Sequence, residues 1–124
     1  MAELPILPFE SEAAWARWLS ERHSQPDGLW LKIAKKASGV SSVTYDEALD
    51  VALCYGWIDG QRKAYDATHY IQRFTPRRRR SQWSKRNVNR VAELTAGGRM
   101  QPSGLAEVEA AQRDGRWQAA LEDR

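Results

Sequence analysis

The order of apolar periodicities along the 124-residue chain constrains the fold more than any other feature. Helical and strand-like spacings predict seven elements. In chain order these are a helix over 9–20, a strand over 29–35, a helix over 44–55, strands over 57–60 and 70–75, a helix from Ser81 or Ser84 to about Ala96, and a helix over 102–113. Three strands with so little alternation are too few for a doubly wound parallel sheet. We therefore expect an α+β fold, a small antiparallel three-stranded sheet flanked by four to five helices.

Local signals place the ends of these elements. Thr44 and Glu47 have the spacing of a capping box, which predicts that the second helix begins there. Gly56 follows the same helix and is suited to its C-terminal stop. Pro76 ends the last strand, because proline lacks the N–H that a ladder requires.

Length and composition indicate a single domain over residues 1–124. A chain of this size buries enough surface to fold without a disulfide or a metal. The only cysteine, Cys54, lies in a helical apolar pattern and is predicted to be a buried thiol. His23 and His69 are far apart and match no metal-ligand spacing, so neither a metal nor a cofactor is expected. No secretion signal or membrane-span pattern is present, which predicts a cytoplasmic protein.

Positive charge is concentrated in one part of the chain. Residues 57–90 carry ten Lys or Arg and only two Asp, whereas the remainder carries nine basic and fourteen acidic residues. A basic region on a mildly acidic body attracts anionic partners toward one face.

The stretch from Pro76 to Asn87 is the strongest candidate for a binding site. Four consecutive arginines lead into a predicted helix start, where guanidinium forks and the helix dipole both favour an anion. Hydroxyls, an amide and a stacking ring follow. The candidate ligand-binding residues of this stretch are Arg77, Arg78, Arg79, Arg80, Ser81, Trp83, Ser84, Lys85 and Asn87. The alternative is a solvated basic turn whose arginines pair with the protein's own carboxylates.

A second candidate lies at the exit of the capped helix, where Asp59 follows Trp57. A carboxylate just past a helix C-terminus needs a cation, which Arg73 or the arginines after it can supply. The pair is interpreted either as a structural ion pair or as a catalytic carboxylate beside a bound substrate. Trp57, Asp59 and Arg73 are therefore included among the candidate site residues.

Several of these motifs together resemble the YdeI/OmpD-associated family, also known as bacteriocin-protection proteins. The resemblance spans nearly the whole chain. It rests on Trp15–Leu19, Ala52–Gly60, Arg73–Arg77, Ser81–Lys85 with Asn87, Gly98–Met100, Gly104–Leu105, Ala111 and Gly115–Trp117. It implies a bacterial protein with a sheet flanked by helices, connected by its family name to stress or antimicrobial-peptide resistance.

Three functional hypotheses follow from these residues. The leading one is a cytoplasmic binding domain for an anionic small molecule, a phosphate-bearing ligand or a nucleic acid. The second is a small enzyme that uses Asp59 as a proton-transfer group beside an arginine-held substrate. The third is a protein–protein interaction module with an exposed patch around Trp30. The oligomeric state is left open by the sequence.

Overall fold

A computed structural model of the protein describes residues 4–122. It is α+β, with four strands, five α-helices and one short 3-10 turn among the described residues. The elements are β1 (Ile6–Pro8), α1 (Glu12–Arg22), β2 (Leu29–Ala34), a 3-10 turn (Lys36–Ser38), α2 (Tyr45–Cys54), β3 (Trp57–Ala64), β4 (His69–Pro76), α3 (Lys85–Ala96), α4 (Pro102–Arg113) and α5 (Arg116–Glu122).

The sheet corrects the sequence prediction. It has four strands in the order β1-β2-β4-β3, so the expected three-stranded antiparallel sheet is wrong. Strand β1 pairs with β2 in parallel, and the other two pairings are antiparallel. Helix α1 forms the crossover between the parallel strands, which makes the sheet mixed.

Two prolines explain why β1 was missed. The strand is only three residues long, Pro8 is its last residue, and Pro5 directly precedes its first residue. Such a segment shows no measurable alternation, and proline argues against a strand unless the strand lies at a sheet edge. Strand β1 is an edge strand, and it is fixed by a 2.8 Å hydrogen bond from the Trp30 N–H to the Pro5 carbonyl.

The β3–β4 hairpin is also longer than predicted, because β3 continues through a polar, exposed half to Ala64. Asp66 organises the turn, since its Oδ1 accepts hydrogen bonds from the backbone N–H groups of Thr68 and His69. The register of β3 shifts between Asp59 and Arg62. Gln72 is buried opposite this irregularity and donates its side-chain amide to the Gly60 carbonyl.

One hydrophobic cluster lies between the sheet and helices α1 and α2. The alternate residues of β2 enter this cluster and pack against Trp15, Trp57 and Phe74, which are fully buried. The Trp15 indole donates a 3.0 Å hydrogen bond to the Ala48 carbonyl, so this large aromatic residue joins α1 to α2 with its polar atom satisfied. We call the sheet face covered by α1 and α2 the inner face.

A second cluster covers the opposite side of α2. Leu49, Leu53 and Cys54 of α2 pack there against residues of α3, α4 and α5. Gly104 allows α4 to approach closely, because a Cβ atom at this position would overlap the Cys54 carbonyl oxygen. Helix α2 is therefore shared by both cores.

The helix starts follow the sequence signals. Thr44 and Glu47 form the predicted capping box of α2, and Ser11 caps α1 through the Ala14 N–H. Gly56 follows α2 with a positive φ of 82°, a backbone conformation that favours glycine. Among residues 4–122, no helix has the length and apolarity needed to cross a bilayer.

Candidate anion-binding site at the basic turn

The predicted arginine segment forms the connection between β4 and α3, which we call the basic turn (residues 77–84). The Arg77 N–H donates to the Gly56 carbonyl at 3.0 Å, and the Ser81 N–H donates to the Arg78 carbonyl at 3.0 Å. Arg80 has φ of 66° and is the only residue other than glycine with a positive φ in the described chain. Such a conformation is uncommon for a residue with a Cβ atom and often marks a functional constraint.

Arg77 lies inside the protein rather than in a ligand site. Its guanidinium carbon is 3.6 Å from the centroid of the Trp83 ring, and its side chain is 7% exposed. Its Nη1 donates to the Ser81 hydroxyl and to the Gln82 carbonyl, whereas the buried Nε and Nη2 have no partner among the described residues. Burial lowers the pKa of Arg77 to about 10. Arg77 is therefore a structural residue of the turn.

Arg79 and Arg80 line a pocket with two further arginines that come from the end of α4 and the start of α5. This pocket of about 470 Å³, which we call the arginine pocket, is lined by Arg79, Arg80, Glu107, Ala110, Arg113, Asp114 and Arg116. The sequence prediction included Arg79 and Arg80 but missed Arg113 and Arg116. Only tertiary structure brings these two residues to the basic turn.

Arg116 connects the arginine pocket to the basic turn. Its Nη1 donates a 2.7 Å hydrogen bond to the Ser81 carbonyl, and its Nε lies 2.8 Å from Asp114 Oδ2. This hydrogen bond from Arg116 lowers the pKa of the Asp114 carboxyl below its usual range. In contrast, Arg79, Arg80 and Arg113 form no ion pair with any carboxylate of the described residues.

Arg78 points to a different cavity, an open cleft of about 1070 Å³ that also contains Arg73. The cleft is bounded by the residues around β1, the end of α1, the loop before β2, and the strands β2 and β4. Its lining includes Trp18, Trp30 and Arg22, together with the acidic residues Glu21 and Asp27. The Arg73 side chain forms no hydrogen bond or ion pair among the described residues, and its Nε is buried without a partner.

The remaining residues of the basic turn support the protein's own structure. Trp83 is 7% exposed and packs against Trp117 with ring centroids 5.0 Å apart. The Ser84 hydroxyl accepts the Asn87 N–H and caps α3, so it is used within the protein. Lys85 is exposed at the first position of α3.

Trp57 and Asp59 lie away from these cavities. Trp57 is fully buried, and its indole donates to the His23 carbonyl at 2.9 Å. The Asp59 carboxylate accepts a 2.6 Å hydrogen bond from the Tyr45 hydroxyl, and no arginine of the described chain pairs with it. Neither residue lines the arginine pocket or the cleft. The predicted site residues are thus divided among the core, the cleft and the arginine pocket.

Residues 4–122 contain no group of three or more His, Cys, Asp or Glu side chains that could hold a metal ion. Cys54 is buried in the second cluster, and burial raises the pKa of its thiol to about 11. A thiol with this pKa is almost entirely protonated near neutral pH and is a poor nucleophile.

Comparisons with known proteins identify a family but no activity. No curated protein and no solved structure matches the chain. One family model matches residues 7–107, which covers the sheet, α1 to α3 and the first half of α4, and ends before Arg113 and Arg116. The chain therefore belongs to the family described as a domain of unknown function (DUF8412).

Proposed function

We propose that this protein is a binding domain for an anionic ligand and that the arginine pocket binds the ligand's phosphate group. The observation that carries the proposal is the convergence of Arg79, Arg80, Arg113 and Arg116 on one pocket. Of these four arginines, only Arg116 forms an ion pair with a carboxylate of the described residues. Guanidinium groups bind phosphate oxygens through paired hydrogen bonds and keep their charge at every physiological pH.

The electrostatic balance of the pocket supports an anion. Four cationic side chains line it against Glu107 and Asp114, and Asp114 is already bonded to Arg116. Neighbouring guanidinium groups repel one another, and a bound phosphate removes this repulsion. The volume of about 470 Å³ also falls within the range of small-ligand sites.

The conformation of Arg80 adds a further argument. A left-handed backbone costs a residue other than glycine about 1–2 kcal/mol. Glycine would avoid this cost at position 80, yet the chain has an arginine whose side chain lines the pocket. We attribute this strain to the requirement for a cation at that point.

The enzyme hypothesis has weaker support, and the protein–protein interaction module stays a prediction. Catalysis by Asp59 would need a cavity that joins Asp59 to the arginines, and Asp59 lines neither the cleft nor the arginine pocket. Three further expectations stay predictions. They are the cytoplasmic location, the resemblance to the YdeI/OmpD-associated family, and the connection to stress or antimicrobial-peptide resistance.

Calorimetric titration with pyrophosphate, a nucleoside triphosphate and an oligonucleotide tests the proposal and separates the sources of the phosphate. We expect Arg113→Gln and Arg79→Gln each to weaken binding at least about tenfold, since a charge-assisted hydrogen bond contributes about 1.5–3 kcal/mol. Arg17→Gln is the matched control, because Arg17 is exposed on α1 and lines neither cavity. No heat of binding with any of the three ligands at low salt, or equal affinity in all variants, would contradict the proposal.

A further inference from the structure

The outer face of the sheet, which is opposite to α1 and α2, carries a second set of basic and aromatic residues. On β2 and β4 the inner-face residues alternate with Trp30, Lys32, Ile71 and Arg73, of which Ile71 is itself buried at 5% exposure. Cross-strand pairing places Trp30 beside Arg73, and Ile71 between Lys32 and Lys63. The two hydrophobic clusters lie on the inner face and on the far side of α2, and neither includes Trp30 or Ile71.

The charge of this face has one sign. Lys32, Lys63 and Arg73 occupy its paired positions, and none of them forms an ion pair with a carboxylate of residues 4–122. Cations gathered on one sheet face attract an anionic partner to that face. Arg78 continues the basic surface at the end of β4, where it shares the cleft with Trp30 and Arg73.

Trp30 provides a stacking surface among these cationic side chains. The ammonium group of Lys63 lies 5.0 Å from the centroid of the Trp30 ring, so a cation covers the ring. The backbone of Trp30 is fixed by hydrogen bonding to β1, as well as by its pairing with β4. An aromatic side chain on a rigid strand loses little entropy when a planar group stacks on it.

Arg73 supplies a second, independent observation. Its Nε is buried without an acceptor, and the rest of its guanidinium group makes no hydrogen bond among the described residues. Nη1 and Nη2 are not buried in this way, so they are free to donate hydrogen bonds to an acceptor from outside the protein. Because Arg73 lies across from Trp30 and lines the cleft, that acceptor would be bound next to the Trp30 ring.

We infer that this face binds single-stranded nucleic acid, with a base stacked on Trp30 and backbone phosphates on Lys63, Arg73 and Arg78. On binding, the Lys63 ammonium exchanges its contact with the ring for a phosphate, and the ring becomes available to the base. Glu21 and Asp27 also line the cleft, where they are outnumbered by Arg22, Arg73 and Arg78.

The combination of ring and cations favours a single strand over other anionic partners. A duplex conceals its base faces within the stack, so it would contact the cations but could not use Trp30. An acidic peptide would satisfy the charges without a planar group for the ring. The face is separate from the arginine pocket, and this inference does not depend on phosphate binding there.

Fluorescence anisotropy with labelled single strands of about twelve nucleotides tests the inference, because this length is within the span of sheet-based single-strand sites. DNA and RNA strands and a duplex of equal length are compared at two salt concentrations. We expect both single strands to bind more tightly than the duplex. We expect Trp30→Leu to weaken single-strand binding on the order of tenfold, whereas Trp30→Phe retains most of it.

The dependence of single-strand affinity on salt concentration distinguishes the contribution of the Trp30 ring from that of the cationic side chains. Lys63→Gln and Arg73→Gln should reduce the slope of affinity against salt, because each removes a phosphate contact, and Trp30→Leu should leave the slope unchanged. Circular dichroism melts establish that each variant is folded, and Arg17→Gln is the control. Equal binding of single strand and duplex, or unchanged affinity in folded Trp30→Leu, would overturn the inference.

The remaining outcomes assign the face or the ligand to something else. Loss of oligonucleotide binding in Arg113→Gln but not in Trp30→Leu would place the strand in the arginine pocket and overturn the inference. Self-association that Trp30→Leu abolishes would assign the face to a second copy of the chain and would also overturn it. Pyrophosphate binding that Arg113→Gln weakens and that Trp30→Leu and Arg73→Gln leave unchanged reports the arginine pocket.

Discussion

The guanidinium group of Arg77 lies over the buried Trp83 ring, with its central carbon 3.6 Å from the ring centroid. The guanidinium cation is thus part of the core beneath the basic turn. Two of its three nitrogens, Nε and Nη2, have no hydrogen-bond partner among the described residues. The contribution of Arg77 to stability therefore comes mainly from packing and from its contact with the ring.

Replacing Arg77 tests this role. We expect Arg77→Ala to lower the free energy of unfolding by about 2–4 kcal/mol, because it leaves a cavity beside Trp83. Arg77→Met fills most of the same volume without burying a charge, and it should cost less than about 1.5 kcal/mol. Urea unfolding of the two variants and the wild type measures the difference. An equal loss in both variants would mean that the charge, rather than the volume, stabilises the turn.

Replacing Arg80 with glycine is expected to raise the stability of the protein and to weaken ligand binding. Arg80→Gly removes the cost of the left-handed conformation, partly offset by the greater entropy of glycine in the unfolded chain. We predict a gain in unfolding free energy on the order of 0.5 kcal/mol and, in calorimetry, weaker pyrophosphate binding. A variant that is less stable than the wild type would contradict the backbone strain at Arg80. A variant that binds pyrophosphate equally well would contradict the assignment of Arg80 to the pocket.

Gly104 is expected to be essential for the packing of α4 on α2. Gly104→Ala should lower the unfolding free energy by about 1–3 kcal/mol, because the added methyl group overlaps the Cys54 carbonyl oxygen and forces the helices apart. Gly97→Ala is a matched control, since Gly97 has a φ of −81° and a Cβ there meets only ordinary contacts. Thermal unfolding of both variants gives the comparison, and similar melting temperatures would contradict the prediction.

Stability at high pH should depend on Tyr45. Burial and the hydrogen bond to Asp59 raise the pKa of Tyr45 to about 12, whereas an unfolded tyrosine ionises near pH 10. The folded protein thus retains the phenol proton that the unfolded chain loses. The stabilisation is complete below about pH 10 and is lost as the pH rises toward about 12. Urea unfolding between about pH 9 and about pH 11 should show a steeper decline for the wild type than for Tyr45→Phe. Parallel declines would contradict the assigned pKa.

The parts of the fold that sequence reasoning predicted are those with local signals. The α2 capping box, Ser84 at the start of α3 and the alternation of β2 all depend on residues close together in the chain. Strand β1 was missed because its prolines mimic a loop and its pairing partner begins 21 residues after its end at Pro8. The exposed end of β3 was missed because Gln61 to Lys63 carry no apolar alternation. The turn at Asp66 stabilises this end instead.

The candidate site was predicted only in part, for a related physical reason. Four consecutive arginines have identical local chemistry, and nothing in the sequence indicates that Arg77 is buried or that Arg78 and Arg79 line different cavities. Strand β4 ends at Pro76, so a strand period cannot be extended into the turn. Arg113 and Arg116 reach the pocket only through the packing of α4 and α5, which no sequence spacing specifies.

The arginine side-chain resonances in a nitrogen–proton NMR spectrum test the central claim most directly, because each Nε–Hε signal reports the surroundings of one guanidinium group. On titration with pyrophosphate, the signals of Arg79, Arg80, Arg113 and Arg116 are predicted to shift with one common dissociation constant, while that of Arg17 stays in place. Unchanged pocket signals, or shifts confined to Arg22, Arg73 and Arg78 in the cleft, would contradict phosphate binding in the arginine pocket.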